Sequence, residues 1–164
     1  MRAIQRVFKG NSPIRVNRIA SLLQRLNVLI LYDVDTSGTS AMALYQRLLK
    51  RLDQGYFFEL KLWRFDLLDL RETARLASRD LAQADMVVVA WNRTLTGLSL
   101  HDSWVQRWPA SFSARRLLVS LFTGPRAEIG KRSFACEWAF LRALARRTGM
   151  DLISSQPRAA VVSL

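Results

Sequence analysis

Strand-like and helix-like apolar patterns alternate along most of this chain. Residues 27–32 (NVLILY) are an almost unbroken apolar run that stops at Asp33. From residue 40 to 52, apolar side chains recur at Met42, Leu44, Tyr45, Leu48, Leu49 and Leu52, the spacing of one helical face. Residues 53–55 (DQG) end that helix, and 57–63 (FFELKLW) partly alternates as a half-buried strand does. Helical spacing returns over 70–82 through Leu70, Ala74, Ala77 and Leu81. The charge-free run 86–91 (MVVVAW) then fits a strand buried on both faces. Residues 100–108 predict a short helix stopped by Pro109, and 116–122 (RLLVSLF) a fourth strand closed by Gly124 and Pro125. Residues 132–148 predict a helix with Phe134, Trp138, Leu141 and Ala145 on one stripe and Gly149 as its cap, followed by a short strand over 151–154.

Such alternation predicts a three-layer α/β/α sandwich with a mainly parallel sheet of about five strands, helices on both faces and right-handed crossovers, flavodoxin-like or receiver-like in layout. Ligands bind these sheets beyond the carboxyl ends of the strands, near a switch in strand order. That rule places 33–40, 91–93 and 123–126 on one rim. The 164 residues suffice for one domain, expected over 27–164. Residues 1–26 precede it, and within them 13–26 set Ile14, Ile19, Leu22, Leu23 and Leu26 against Arg15, Arg18, Gln24 and Arg25. This is a basic amphipathic helix pattern, able to dock on the sheet, lie on a membrane or hold a partner. Docking on the sheet is the expectation taken first. The acid-free, Arg-rich stretch also resembles an organelle transit segment.

Composition narrows the class. With 50% hydrophobic residues, 7 Gly and 4 Pro, the chain is built to pack rather than to stay disordered. Its longest uncharged apolar runs fall well short of the roughly 20 residues needed to cross a bilayer, so no transmembrane segment is expected. Cys136 is the only cysteine, and the N-terminal residues lack the pattern of a secretory signal, which together predict a reducing, cytoplasmic setting. His101 and Cys136, one of each and in separate segments, argue against the usual zinc and iron–sulfur sites.

The net charge of +12 is concentrated at the two ends. Residues 1–26 carry six basic and no acidic residues, 27–114 ten of each, and 115–164 nine basic against three acidic. Such ends attract an acidic protein surface, nucleic acid or an anionic membrane, and serve equally well as solvated surface.

Candidate chemistry centres on residues 29–40, LILYDVDTSGTS. An apolar strand running into Asp33, Val34 and Asp35, with Ser37 after them and Thr123 ending a later strand, resembles the haloacid-dehalogenase phosphatases. That resemblance implies a nucleophilic Asp33 and an acid/base Asp35. Those enzymes add a lysine, for which Lys131 is available, and a magnesium-binding acidic pair; Glu137 in mid-helix and Asp151 alone do not supply it. The layout also resembles response-regulator receivers, which require an aspartate after strand three and a lysine after strand five. Trp91 and Asn92, and Ser155, Gln156 and Pro157, stand in those places, so phosphoryl acceptance by that route is not expected.

The hydroxyl-rich run Asp35, Thr36, Ser37, Gly38, Thr39 and Ser40 looks like the phosphate loop of flavodoxins, with Trp91 where those proteins offer an aromatic to the flavin ring. Two carboxylates beside a phosphate oppose this, at about 4 kcal/mol for a like-charge contact near 4 Å. In the plainest reading Asp35, Ser37 or Thr39 caps the first helix, Gly38 allows the turn and Asp33 satisfies backbone groups at the strand end. Over residues 27 to about 152, LILYD, LKLWRFDLL and ADMVVVAW look like a bacterial α/β family with no assigned chemistry; the resemblance implies the fold and carries over no site residue.

Elsewhere, His101 beside Asp102 is read as surface or cap, since neighbours on a helix point apart. Trp104 and Trp108, beside Arg107, Arg115 and Arg116, are read as core packing before base stacking. Cys136 is read as a small buried or half-buried side chain. The expected function is a non-enzymatic binding or regulatory module. Its working rim comprises Asp33, Asp35, Thr36, Ser37, Gly38, Thr39, Ser40, Trp91, Asn92 and Thr123, with Arg93 and the residues up to Arg126 beside them. The alternatives are a magnesium-dependent phosphotransferase using Asp33 and Asp35 and a flavin-binding protein; neither a metal site nor a single cofactor is assigned.

Overall fold

Every strand of the sheet runs the same way. The computed structural model describes residues 24–52, 55–92, 103–106, 108–109, 116–125 and 132–154. Their order is β1 (Gln24–Tyr32), α1 (Asp35–Leu52), β2 (Tyr56–Arg64), a 3-10 turn (Phe65–Leu67), α2 (Arg71–Gln83), β3 (Met86–Trp91), α3 (Ser103–Gln106), β4 (Leu117–Phe122), α4 (Arg132–Thr148) and β5 (Asp151–Ser154). The strands lie in the spatial order β2-β1-β3-β4-β5, and all four neighbouring pairs are parallel. This is the expected α/β arrangement, with the strand order of flavodoxin-like sheets.

Alternate residues of each strand feed opposite layers. Val28 and Ile30 of β1, Met86, Val88 and Ala90 of β3 and Val119 of β4 point to the side covered by α1, where Ala41, Tyr45 and Leu48 meet them. Leu29, Leu31, Val87, Val89, Trp91 and Leu118 point the other way, into a larger core formed with α2, α3 and α4. Both sides of β3 are buried along its whole length, as its run of β-branched residues requires. The expected stripe of α4 is present, with Phe134, Leu141, Leu144 and Ala145 buried and Trp138 packed at its margin. Trp108 is buried in the same core.

Helix ends are closed by specific groups. The α4 helix stops at Gly149, whose φ of 70° is left-handed, while Met150 N–H donates to the Ala145 carbonyl at 3.0 Å and buries its side chain beneath the helix. Space beside Gly149 is open, so a Gly149→Ala change is opposed by conformation alone. It is expected to cost about 1–2 kcal/mol in urea unfolding, with the slope unchanged. The carbonyl end of α2 is met by Arg116, whose Nη1 donates to Leu81 O at 3.3 Å and Ala82 O at 3.0 Å.

The first strand begins earlier than its apolar run suggests. Gln24, Arg25 and Leu26, read as the tail of a basic amphipathic helix, instead pair with Tyr56, Phe57 and Phe58 of β2. The remainder of that segment lies outside the described residues, as do 155–164. Among the described residues no helix is long and apolar enough to cross a membrane.

Candidate functional site

The strand order reverses between β1 and β3, so the crevice above those two strands is where an α/β sheet of this type accepts a ligand. In this protein a carboxylate spans it. Asp33 Oδ2 accepts the Asn92 N–H at 2.9 Å and Oδ1 accepts the Val34 N–H at 2.7 Å. Its own N–H reaches back to Ala90 O at 3.2 Å. The tops of β1 and β3 are therefore tied through one side chain. A similar clamp closes the opposite end of the same pair, where Asp85 Oδ2 accepts the Asn27 N–H at 2.8 Å and its Nδ2 at 3.3 Å.

The first turn of α1 joins this network. Asn92 Nδ2 donates to Thr36 Oγ1 at 3.3 Å, and Ser37 Oγ, fully buried, shares a 3.0 Å hydrogen bond with Thr123 Oγ1. Thr123 also holds β3, its N–H meeting Trp91 O at 2.8 Å and its hydroxyl the same carbonyl at 3.3 Å. Asp33, Thr36, Ser37, Asn92 and Thr123 thus form one connected polar surface across three strands and a helix. Ser37, the buried member, is satisfied by Thr123, as a buried hydroxyl requires.

Several expectations are overturned. Residues 35–40 are not a loop: α1 starts at Asp35, with Gly38 N–H donating to Val34 O at 3.0 Å. Thr39 and Ser40 turn their hydroxyls onto the carbonyls of Asp35 and Thr36 at 2.9 and 3.0 Å, away from any cradle. The capping roles expected of Asp35, Ser37 and Thr39 fail with it, because all three lie inside the helix. Gly38 serves contact rather than a turn: a Cβ there would stand 3.0 Å from the Tyr32 ring. Trp91 is also not a rim aromatic. Its side chain is buried on the opposite face, stacked on Phe134 at 5.2 Å and donating through Nε1 to Ser120 Oγ at 3.2 Å. Cys136 is exposed rather than buried or half-buried.

Arg64 enters the rim unannounced by any motif. It ends β2, clamps Asp66 with two 2.7 Å hydrogen bonds and stands 4.0 Å from Asp35, which is exposed. The hydrogen bonds from Arg64 hold the Asp66 carboxyl below its ordinary pKa. The signal available in the sequence was its place at the carboxyl end of a strand, with an acid two residues on. Among the described residues, no group of three His, Cys, Asp or Glu side chains gathers as a metal site requires. Arg93, His101, Asp102, Arg126 and Lys131 lie outside the described residues.

No family model, no curated protein and no solved structure matches this chain. What can be said of its chemistry therefore rests on its own residues.

Proposed function

We propose that this chain is a non-enzymatic binding or regulatory module, flavodoxin-like in layout, which works through the rim at the carboxyl ends of β1, β3 and β4. The observation that carries the reading is the Asp33 carboxylate, both of whose oxygens accept backbone N–H groups. Its Oδ2 joins β1 to β3 through the Asn92 N–H, as Asp85 Oδ2 joins them at the far end through the Asn27 N–H, which supports a structural role for this side chain. Asn92 Nδ2 in turn meets Thr36, and Thr123 is held by Ser37 and the Trp91 carbonyl, which favours binding by shape and hydrogen bonding. Asp35, in the first turn of α1, places negative charge where an anion would otherwise meet the helix N-terminus. Neutral or cationic polar ligands are the class this rim suits.

Native mass spectrometry of the protein purified without refolding tests this. The expected result is a co-purifying mass adduct that disappears in Thr36→Trp, which fills the space beside Asn92 whatever the charge of the ligand. A magnesium-dependent phosphatase activity abolished by Asp33→Asn would replace this reading with the phosphotransferase.

A further inference from the structure

The two margins of the sheet are built differently. At one, β5 is four residues long. At the other, β2 runs for nine, in unbroken register with β1 from Tyr56 to Arg64, and among the described residues no strand lies beyond it. A strand so placed presents a row of backbone donors and acceptors to a further chain, and sheets usually guard such an edge by shortness, proline, a bulge or charge. β2 is long, unbulged and free of proline and glycine, with Phe57 52% and Leu62 41% exposed. Glu59 and Lys61 share one face of it with Phe57 and Trp63, the face that turns toward α2.

We infer that β2 pairs antiparallel with β2 of a second copy of this chain, about a two-fold axis at Leu60, joining the two sheets into one. The order of residues along the edge is the argument. Directly opposite residues of an antiparallel pair lie on the same face and touch. With Leu60 opposite the partner's Leu60, Glu59 faces the partner's Lys61 and Lys61 faces the partner's Glu59. Phe58 then faces the partner's Leu62, and Phe57 the partner's Trp63. A slip of two residues in either direction sets Glu59 against the partner's Glu59, or Lys61 against the partner's Lys61. Of these registers only the first satisfies charge and apolar contact together, and the two-fold makes each contact twice.

A lone edge lysine repels a further strand; here the acid two residues before it supplies its counterpart in the second copy. Within one chain Glu59 already meets Arg25 of β1 and Lys61, the latter at 3.1 Å. In the pair each Glu59 stands between cations of both copies, a linked row rather than a single exposed ion pair, which contributes little. Trp63 offers the partner's Phe57 a fixed ring, because its Nε1 donates to Asp80 Oδ2 at 2.8 Å. Arg64, held by Asp66, faces the partner's Tyr56. The crevice above β1 and β3 stays open in this arrangement, and the rims of the two copies point to opposite ends of the joined sheet.

Sedimentation equilibrium of the full chain tests this. The unmodified protein is expected to show the mass of two chains, dissociating on dilution. Glu59→Lys alone and Lys61→Glu alone each set like charges against one another at two places, and each is expected to weaken association about tenfold or more. Mixed in equal amounts, the two variants are expected to associate with each other, because each carries the charges that the other lacks. Should either single variant lose its circular dichroism, the exchange of both charges in one chain, Glu59→Lys with Lys61→Glu, takes its place: a restored dimer supports the pairing and a single-chain mass overturns it. A single-chain mass for the unmodified protein at every concentration also overturns it. So does a dimer that both single changes leave intact, which would put the interface elsewhere, and so does a mixture of folded variants that stays apart.

Discussion

Trp91→Ala is expected to lower the unfolding free energy by about 3–5 kcal/mol, the largest single-residue effect in this fold. The indole is 1% exposed and joins three elements: it stacks on Phe134 of α4, meets Phe122 of β4 with centroids 4.7 Å apart, and leaves from the end of β3. Phe122 and Phe134 in turn meet edge to face at 5.3 Å, so the three rings form one unit. Removing the central ring leaves a cavity that two rigid neighbours on different elements cannot close. It also strips Ser120 of the Nε1 donor, although Ser120 has further interactions of its own. Thermal unfolding should shift down by about 6–20 °C. Ser120→Ala is a companion measurement: it leaves a buried indole N–H without its hydroxyl partner and should cost about 1–3 kcal/mol. A loss below about 1.5 kcal/mol for Trp91→Ala would mean that α4 does not rest on this ring.

Gly124→Ala is the second large effect, expected at about 2–3 kcal/mol. A Cβ at this position would lie 2.4 Å from the Asn92 carbonyl oxygen and 2.5 Å from Phe122 Cζ. The phenyl ring can tilt. The carbonyl cannot move alone, because Asn92 N–H is held by Asp33 and the preceding carbonyl by Thr123. The methyl group therefore pushes apart the loops that end β3 and β4, and the disturbance should centre on the rim. Amide chemical shifts of Asp33, Asn92 and Thr123 are expected to change more than those of Asn27 and Asp85 at the far end of the same strands. Equal changes at both ends, or unaltered stability, would show that the close approach is not kept in solution.

Strands and helices were legible where burial writes a period into the sequence. Residues 132–148, 151–154 and 86–91 stand where their patterns put them, because a helix stripe, a glycine and a β-branched run each admit one structure. The rim was legible only as a place. Residues 35–40 contain threonine, serine and glycine, which disfavour helix, yet packing of Gly38 on Tyr32 and the bond from Ser37 to Thr123 hold them helical. Those partners are 6 and 86 residues away, one too close for periodicity to show and the other too far. The burial side of Trp91 was obscured because all six residues of β3 are apolar, so no polar alternation marks which side of the strand is which. Gln24 and Arg25 became strand because β2 offers a nine-residue partner, information absent from their own neighbourhood.

An all-parallel sheet also constrains how this chain comes into being during synthesis. β1 is made first, but its partner β3 follows far behind: Asn27 and Asp85, which clamp the pair, are 58 residues apart. No hairpin can form in the meantime, since parallel neighbours need a crossover between them. At the usual pace of about 5–20 residues per second, the ribosome leaves the VLIL segment of β1 without that neighbour for roughly 3–12 s. For that interval this apolar segment of the nascent chain is a sticky, unpaired edge, and its safe passage depends on chaperones or on early cover by α1 and β2.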